Sequence, residues 1–107
     1  MMTIVTRVTL REGAEPEWDA VMRERLAAAR ERPGWLGGQL MMPLDGLNQR
    51  VIVGCWQTRA DWEAWHNDPA FQETRRRLEG LQGGHGEHWW HEVIADERPL
   101  SASRLAA

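Results

Sequence analysis

Hydrophobic and polar residues change their spacing several times along this chain, and each change predicts a new element. They alternate from Thr3 to Arg11, as in a strand with one buried face. From Pro16 to the Pro33-Gly34 pair the apolar residues recur every three or four positions, which predicts a helix between those two breaks. Two further apolar stretches, Trp35 to Met42 and Arg50 to Gln57, predict strands on either side of an Asp45-Gly46 turn.

The second half of the chain predicts a helix in two parts, a loop and a last strand. Thr58, three residues before Asp61, resembles a capping box, and Asp68-Pro69 resembles a second helix start with a cap followed by proline. The helical pattern ends near Gly80, residues 81–86 form a glycine-rich loop, and Glu87 to Asp96 predicts the fourth strand. We therefore predict one domain over residues 1–96 and a tail over residues 97–107.

The element order β-α-β-β-α-β is typical of the ferredoxin-like α+β fold, with two helices on one face of a four-stranded antiparallel sheet. The predicted strands are apolar on both faces. Ile4, Val8, Leu10, Ile52 and Trp56 share one face, and Val5, Val51, Val53 and Cys55 share the other. Since two helices cover only one face, we predict a homodimer in which identical sheets face each other.

Composition narrows the classes of partner that the protein could bind and the cellular compartment in which it is expected. The 16 acidic and 13 basic residues are intermixed along 107 positions, which disfavours a nucleic acid or a membrane surface as the partner. Cys55 is the single cysteine, so a disulfide within the chain is impossible and a reducing cytoplasm is the expected location. Neither a signal peptide nor a transmembrane stretch is expected.

The densest chemical feature is a group of tryptophans, three of the seven falling within ten residues. Trp56 should end a strand, while Trp62 and Trp65 lie three positions apart on one helical face. Such a wall suits a small, flat aromatic ligand. The same spacing is also typical of an ordinary core, so the alternative is a non-catalytic ligand-binding or stress-related dimer whose tryptophans only pack.

The run G-H-G-E-H-W-W-H brings three histidines close together in sequence. On a strand His85 and His91 would share a face and His88 would point to the other, so we predict no metal site. His91 is a candidate pocket or interface histidine. Trp89 and Trp90 must face opposite sides of the sheet, and the sequence leaves open which of them faces the helices.

The topology, the length and the segment V-I-V-G-C-W-Q-T-R-A-D-W-E-A-W-H-N-D-P-A-F over residues 51–71 resemble the antibiotic biosynthesis monooxygenase family. The resemblance covers roughly residues 3–96. It implies a dimeric α+β barrel with a pocket in each subunit between sheet and helices. In several members that pocket oxidises a polycyclic phenol, an anthrone or a quinol with O2, without metal, flavin or nicotinamide. We accordingly expect a monooxygenase that needs no cofactor.

The resemblance also implies roles for single residues. Trp65 matches a pocket tryptophan of the family and would position the ring. His66, Asn67 and Arg75 are candidates to polarise or deprotonate a hydroxyl, because imidazole titrates near neutrality and arginine stabilises a phenolate. The candidates for binding substrate are Thr6, Trp62, Phe71 and His91.

A second branch of the same fold degrades haem, and the chain resembles it at Trp65. It differs at two other signature positions, having Arg75 where that branch has its axial histidine and Thr6 where it has an asparagine. Arginine does not ligate iron as a neutral imidazole does, so haem degradation would need a substitute ligand such as His66. We therefore rank haem below a phenolic substrate.

Overall fold

Seven elements make up the part of the chain that the computed structural model describes, residues 1–99. They are β1 (Met2–Thr9), α1 (Glu15–Ala29), β2 (Trp35–Met41), β3 (Gln49–Trp56), α2 (Arg59–His66), α3 (Pro69–Glu79) and β4 (Glu87–Glu92). The predicted ferredoxin-like order is confirmed, with α2 and α3 as the two parts of the second helix. The fourth strand ends at Glu92, four residues earlier than predicted. Of the predicted tail, residues 100–107 lie outside the described residues.

The sheet is antiparallel, with the strand order β2-β3-β1-β4. Its register pairs Ile4 of β1 with Gly54 and Trp90, and Val5 with Val53 and Trp89. The two predicted faces are therefore correct, and the register also settles which tryptophan faces the helices. It is Trp90, whose ring contacts Trp62 of α2, while Trp89 lies on the opposite face.

Both predicted helix starts are present, and together they create a corner between α2 and α3. The backbone N–H of Asp61 donates to Thr58 Oγ1 at 3.1 Å, and that of Ala70 donates to Asp68 Oδ1 at 2.9 Å. Pro69 occupies the first position of α3, where its missing N–H costs nothing. The chain thus turns within residues 67–68 and sets the end of α2 against the start of α3.

An ion pair fastens α1 to the sheet. The guanidinium of Arg50 donates to both carboxylate oxygens of Asp19, at 2.8 and 3.0 Å, and to the carbonyls of Leu47 and Gln49. Arg50 is only 6% exposed, so these bonds satisfy a cation that burial would otherwise penalise. The hydrogen bond to Asp19 raises the pKa of Arg50 above its ordinary value, so Arg50 stays charged.

β2 has an irregularity, a register shift between Trp35 and Gly37 in its pairing with β3, followed by a close approach at Gly38. A Cβ atom on Gly38 would lie 2.6 Å from the Trp35 ring and 2.8 Å from the carbonyl oxygen of Val53. A side chain at this position would displace Trp35, which packs edge-on against Trp56 with centroids 5.1 Å apart. Glycine therefore lets the indole of Trp35 lie over the sheet.

Two hydrophobic clusters fill the layer between helices and sheet. One contains Met2, Ile4, Ala29, Trp56, Trp65 and Phe71, and the other Val8, Leu10, Trp18, Val21, Met22 and Leu78. Residues of both clusters line one cavity, which places the candidate site inside this layer. None of the helices in residues 1–99 has the length and hydropathy needed to cross a bilayer.

Candidate functional site

A cavity of about 870 Å³ lies between the sheet and all three helices. Its walls come from β1, β3 and β4 on the sheet side, with Trp35 of β2 at one end, and the loop of residues 82–86 borders it as well. The volume is within the range of small-molecule sites, which are mostly apolar with a few polar groups. This cavity is more polar, because its aromatic and aliphatic residues share the lining with nine polar or charged ones: Thr6, Arg11, Arg25, His66, Arg75, Glu79, Gln82, His85 and His88.

A row of side chains in ring-to-ring contact, contributed by four elements, runs along one side of the cavity. Neighbouring ring centroids are 4.1 Å apart for Trp90 and Trp62, 3.9 Å for Trp62 and His66, and 4.1 Å for His66 and Phe71. An arginine closes each end, Arg59 at 5.0 Å from the Trp90 ring and Arg25 at 4.2 Å from the Phe71 ring. We call these six residues the stacked row. The corner between α2 and α3 brings His66 and Phe71 into it.

His66 lies in the middle of the stacked row and is neutral at physiological pH. Burial, followed by the positive charges of Arg25 and Arg75 and by His88, lowers the pKa of His66 from 6.5 to about 4. Its ring faces are covered by Trp62 and Phe71. Within residues 1–99 neither ring nitrogen forms a hydrogen bond to another residue, so both remain able to bond a ligand in the cavity.

Two arginines place positive charge beside His66. Arg25 of α1 donates from Nε to Thr74 Oγ1 at 2.9 Å. Burial and the charge of Arg75 lower the pKa of Arg25 to about 10, which still leaves it charged at neutral pH. Arg75 of α3 is more exposed, and its Nε lies 3.5 Å from a carboxylate oxygen of Glu79. Both arginines line the cavity.

The sheet contributes a second polar group, formed by Thr6 and His88. Thr6 Oγ1 and His88 Nδ1 are 3.0 Å apart, because β1 and β4 pair these two residues directly. Burial lowers the pKa of His88. His88 was not among the predicted site residues, although its position two residues before Trp90, on the same face of a strand, was the available signal.

The structure brings six of the eight predicted site residues to the cavity, namely Thr6, Trp62, Trp65, His66, Phe71 and Arg75. Trp65 is only 5% exposed and packs against Trp56 and Phe71, with centroids 6.4 and 5.6 Å apart, so it belongs to the core as well as to the wall. The roles predicted for these residues stay predictions.

The other two predicted residues lie elsewhere. Asn67 is exposed and donates from Nδ2 to the carbonyl oxygen of Glu63 at 3.0 Å, at the end of α2. His91 lies on the opposite face of the sheet, with Nδ1 3.4 Å from the carbonyl oxygen of Thr3. Neither is among the residues that line the cavity.

The three histidines of the segment G-H-G-E-H-W-W-H do not all lie in the same place. His88 lines the cavity from β4, and His85 lines it from the preceding loop, where strand alternation does not apply. His91 is on the far side of the sheet. In the described part of the chain no three His, Cys, Asp or Glu side chains are grouped as a metal site requires.

Known proteins resemble this chain in sequence and in fold. A 66-residue stretch is 32% identical to "Heme oxygenase (mycobilin-producing)" of Mycobacterium tuberculosis, covering 62% of this chain and 63% of the relative, so the match spans less than two thirds of that protein. A solved structure of SnoaB, a cofactor-independent oxygenase from Streptomyces nogalater, is 23% identical with a TM-score of 0.80, covering 89% of this chain and 94% of SnoaB.

A second solved structure, Rv0793 from Mycobacterium tuberculosis, is 14% identical with a TM-score of 0.83, covering 91% of this chain and 98% of its own. At these identities the two structures show a shared fold. The sequence of residues 1–77 matches the family model described as antibiotic biosynthesis monooxygenase. That match covers most of β1 through α3, the segment that builds the stacked row apart from Trp90, and so the chain belongs to the antibiotic biosynthesis monooxygenase family.

Proposed function

We propose that this protein is a monooxygenase that binds a small phenolic, quinol or anthrone-like aromatic in the cavity and oxidises it with O2, without a cofactor. One observation carries the proposal. A neutral imidazole, His66, is held within an aromatic row and next to two arginines, at the wall of a cavity of small-molecule size.

The stacked row supports binding of a flat ring. Trp62 and Trp90 meet edge to face at an interplanar angle of 82°, and both line the cavity. Trp90 is 42% exposed, so part of its surface is available for contact with a ligand. Offset or edge-to-face contacts between aromatic rings contribute roughly 0.5–1.5 kcal/mol beyond the area that they bury.

The charges near His66 support ionisation of a bound hydroxyl. Arg25 and Arg75 disfavour a proton on His66, and a phenol in the same field would likewise lose its proton more easily. Because the pKa of His66 is low, its part is to accept a hydrogen bond from the hydroxyl and orient it. The arginines then stabilise the resulting phenolate or enolate while the proton passes to water.

The reaction itself needs only the anion and O2. The anion donates one electron to O2, which gives a ring radical and superoxide, and these two combine into a peroxide at the ring carbon. Loss of water from the peroxide leaves a ketone, so that an anthrone and O2 yield an anthraquinone and H2O. The protein contributes binding, orientation and stabilisation of the anion.

We also propose that the protein acts as a homodimer, with the sheet faces that carry Val5, Val53 and Trp89 packed together. These residues lie on the face away from the helices, and Trp89 is 43% exposed. A second copy of the same sheet is a self-complementary cover for such a face.

Haem is a second candidate substrate, and the 32% identity to a haem oxygenase favours it. Two imidazoles, His66 and His88, line the cavity, and both have lowered pKa values, so each is a neutral nitrogen donor of the kind that ligates haem iron. Haem is also flat and aromatic. Arg75 and Thr6 remain the departures from the signature of the haem-degrading branch.

Oxygen consumption by metal-stripped protein, with anthrones and hydroquinones as substrates, tests the proposal. His66→Phe keeps a stacking ring and removes both nitrogens, so it should lower the rate about 100-fold while the protein stays folded. Arg76→Gln removes a charge from the exposed surface of α3 and should leave the rate unchanged.

Three results would decide against the phenolic substrate. An unchanged rate in His66→Phe would remove His66 from the mechanism. Tight haemin binding without oxygen uptake from any phenol would favour haem, and the absence of both would favour a non-catalytic binding protein.

A further inference from the structure

The cavity differs in charge from the molecule that contains it. The chain has a formal net charge of −3, whereas the charged residues lining the cavity are three arginines, Arg11, Arg25 and Arg75, and one glutamate, Glu79. These four side chains give the cavity a net positive charge. Positive charge inside a cleft with apolar walls attracts anions and acts more strongly there than on an open surface.

Two of the three arginines are partly engaged by the protein. Arg75 forms its ion pair with Glu79, and Arg11 donates from Nε to the carbonyl oxygen of Gln82 at 3.1 Å. Both side chains also lie in exposed positions. Neither is therefore the strongest place for an anion to bind.

Arg25 differs from the other two. It is half-buried and lies over the Phe71 ring, and among residues 1–99 only its Nε has a hydrogen-bond partner, the hydroxyl of Thr74. Within residues 1–99 no carboxylate lies within ion-pair distance of Arg25. Withdrawing a cation from water without an anionic partner is unfavourable, and an anionic ligand would offset that cost.

The position of Arg25 also indicates where the anionic group of a bound ligand would lie relative to His66. Arg25 covers Phe71, and Phe71 is stacked on His66 with an interplanar angle of 30°, so the cation is one ring away from the imidazole. The two terminal nitrogens of a guanidinium form a fork that matches a carboxylate. A hydroxyl at His66 and a carboxylate at Arg25 would thus belong to neighbouring positions of one aromatic ligand.

The geometry points to Arg25 as an anion-binding residue of the cavity, and to a substrate that carries a carboxylate close to its reactive hydroxyl, as in a hydroxynaphthoic acid. This inference rests on the proposed function, because it places the substrate of that reaction in the same cavity. It adds the substrate class, aromatic hydroxy acids, and the residue that selects it.

Calorimetric titration with a matched pair of ligands tests the inference. The pair is 1-hydroxy-2-naphthoate and 1-naphthol, which share the ring and the hydroxyl and differ in the carboxylate. We expect the wild type to bind the naphthoate about 10- to 100-fold more tightly, the range for a charge-assisted bidentate contact. Arg25→Gln should reduce that preference to near unity, and Arg76→Gln should leave it intact.

A second measurement does not depend on the variant folding. Raising the salt concentration should weaken naphthoate binding by the wild type and leave naphthol binding nearly unchanged, since only the first ligand is an anion. Equal affinity for both ligands, an undiminished preference in Arg25→Gln, or no binding of either ligand would each overturn the inference.

Failure of the proposed function would look different. Oxygen uptake with a neutral anthrone does not require an anion site. If the protein prefers the naphthoate but consumes no oxygen with any substrate, the anion site stands and the proposed oxygenase activity does not. Haemin also carries carboxylates, its propionates, on a flat ring, so haemin binding tests the alternative ligand. Loss of haemin affinity in Arg25→Gln, with no naphthoate binding by the wild type, would overturn the hydroxy-acid substrate and identify the anion as a propionate.

Discussion

At the scale of single residues, His66 and Asn67 show how much of the candidate site can be predicted from the sequence. Both are polar, both end α2, and the sequence selected both as candidates for proton chemistry. The structure directs His66 into the stacked row, whereas Asn67 is exposed and bonds back to Glu63. The difference is one of helix phase, roughly 100° between successive residues, combined with the turn into α3.

What the sequence did not reveal at this scale is the surroundings of His66. Arg25 comes from α1 and His88 from β4, so their influence on its pKa requires the tertiary packing. Periodicity identifies which side chains face inward. It does not state which inward-facing side chains meet, and the charge of the cavity therefore became visible only in the fold.

The effect of charge on His66 leads to a prediction. Arg75→Gln removes one of the positive charges that lower the pKa of His66, so we expect that pKa to rise above about 4. The rise should be partial, because burial is the larger cause and Arg25 remains. NMR titration of the imidazole resonances measures it, with Arg76→Gln as a control of equal charge. A pKa that stays the same or falls in Arg75→Gln would contradict this account of the site.

At the scale of elements, most boundaries were predictable because the stop and start signals are local. Thr58 and Asp68 cap the helices at which they were predicted. Two features were not predictable. The fourth strand ends early, and the choice between Trp89 and Trp90 depends on strand register, which non-local pairing sets.

The corner at Asp68 gives the prediction at this scale. The Asp68 carboxylate accepts a bond from Ala70 N and also pairs with Arg32 at 3.1 Å. Asp68→Ala should lower the free energy of unfolding by about 1–2 kcal/mol, mainly through loss of the cap. Asp68→Asn retains a capping oxygen and should recover most of the lost free energy of unfolding. Urea denaturation compares the three proteins, and an Asn variant as unstable as the Ala variant would show that the Arg32 ion pair is the dominant contribution.

At the scale of the whole molecule, the two-sided apolar pattern of the strands was the most informative part of the sequence. The structure confirms that one face packs against helices and lines the cavity, and that the other carries Val5, Val53 and Trp89 without helix cover in residues 1–99. The cavity volume and its positive charge were not predictable, since both depend on how three helices lie over the sheet.

The open face yields the last prediction. Val53 is central in it, paired with Val5 on one side and Gln39 on the other. If two such faces pack together, Val53→Glu buries like charges from both copies in the interface, which costs several kcal/mol, and the variant should be a monomer. Ala64→Glu adds the same charge to an exposed position of α2 and should remain a dimer. Sedimentation velocity at micromolar concentration measures the mass, with circular dichroism to confirm that both variants are folded. A wild type that sediments as a monomer, or a folded Val53→Glu that sediments as a dimer, would show that this face is not the interface.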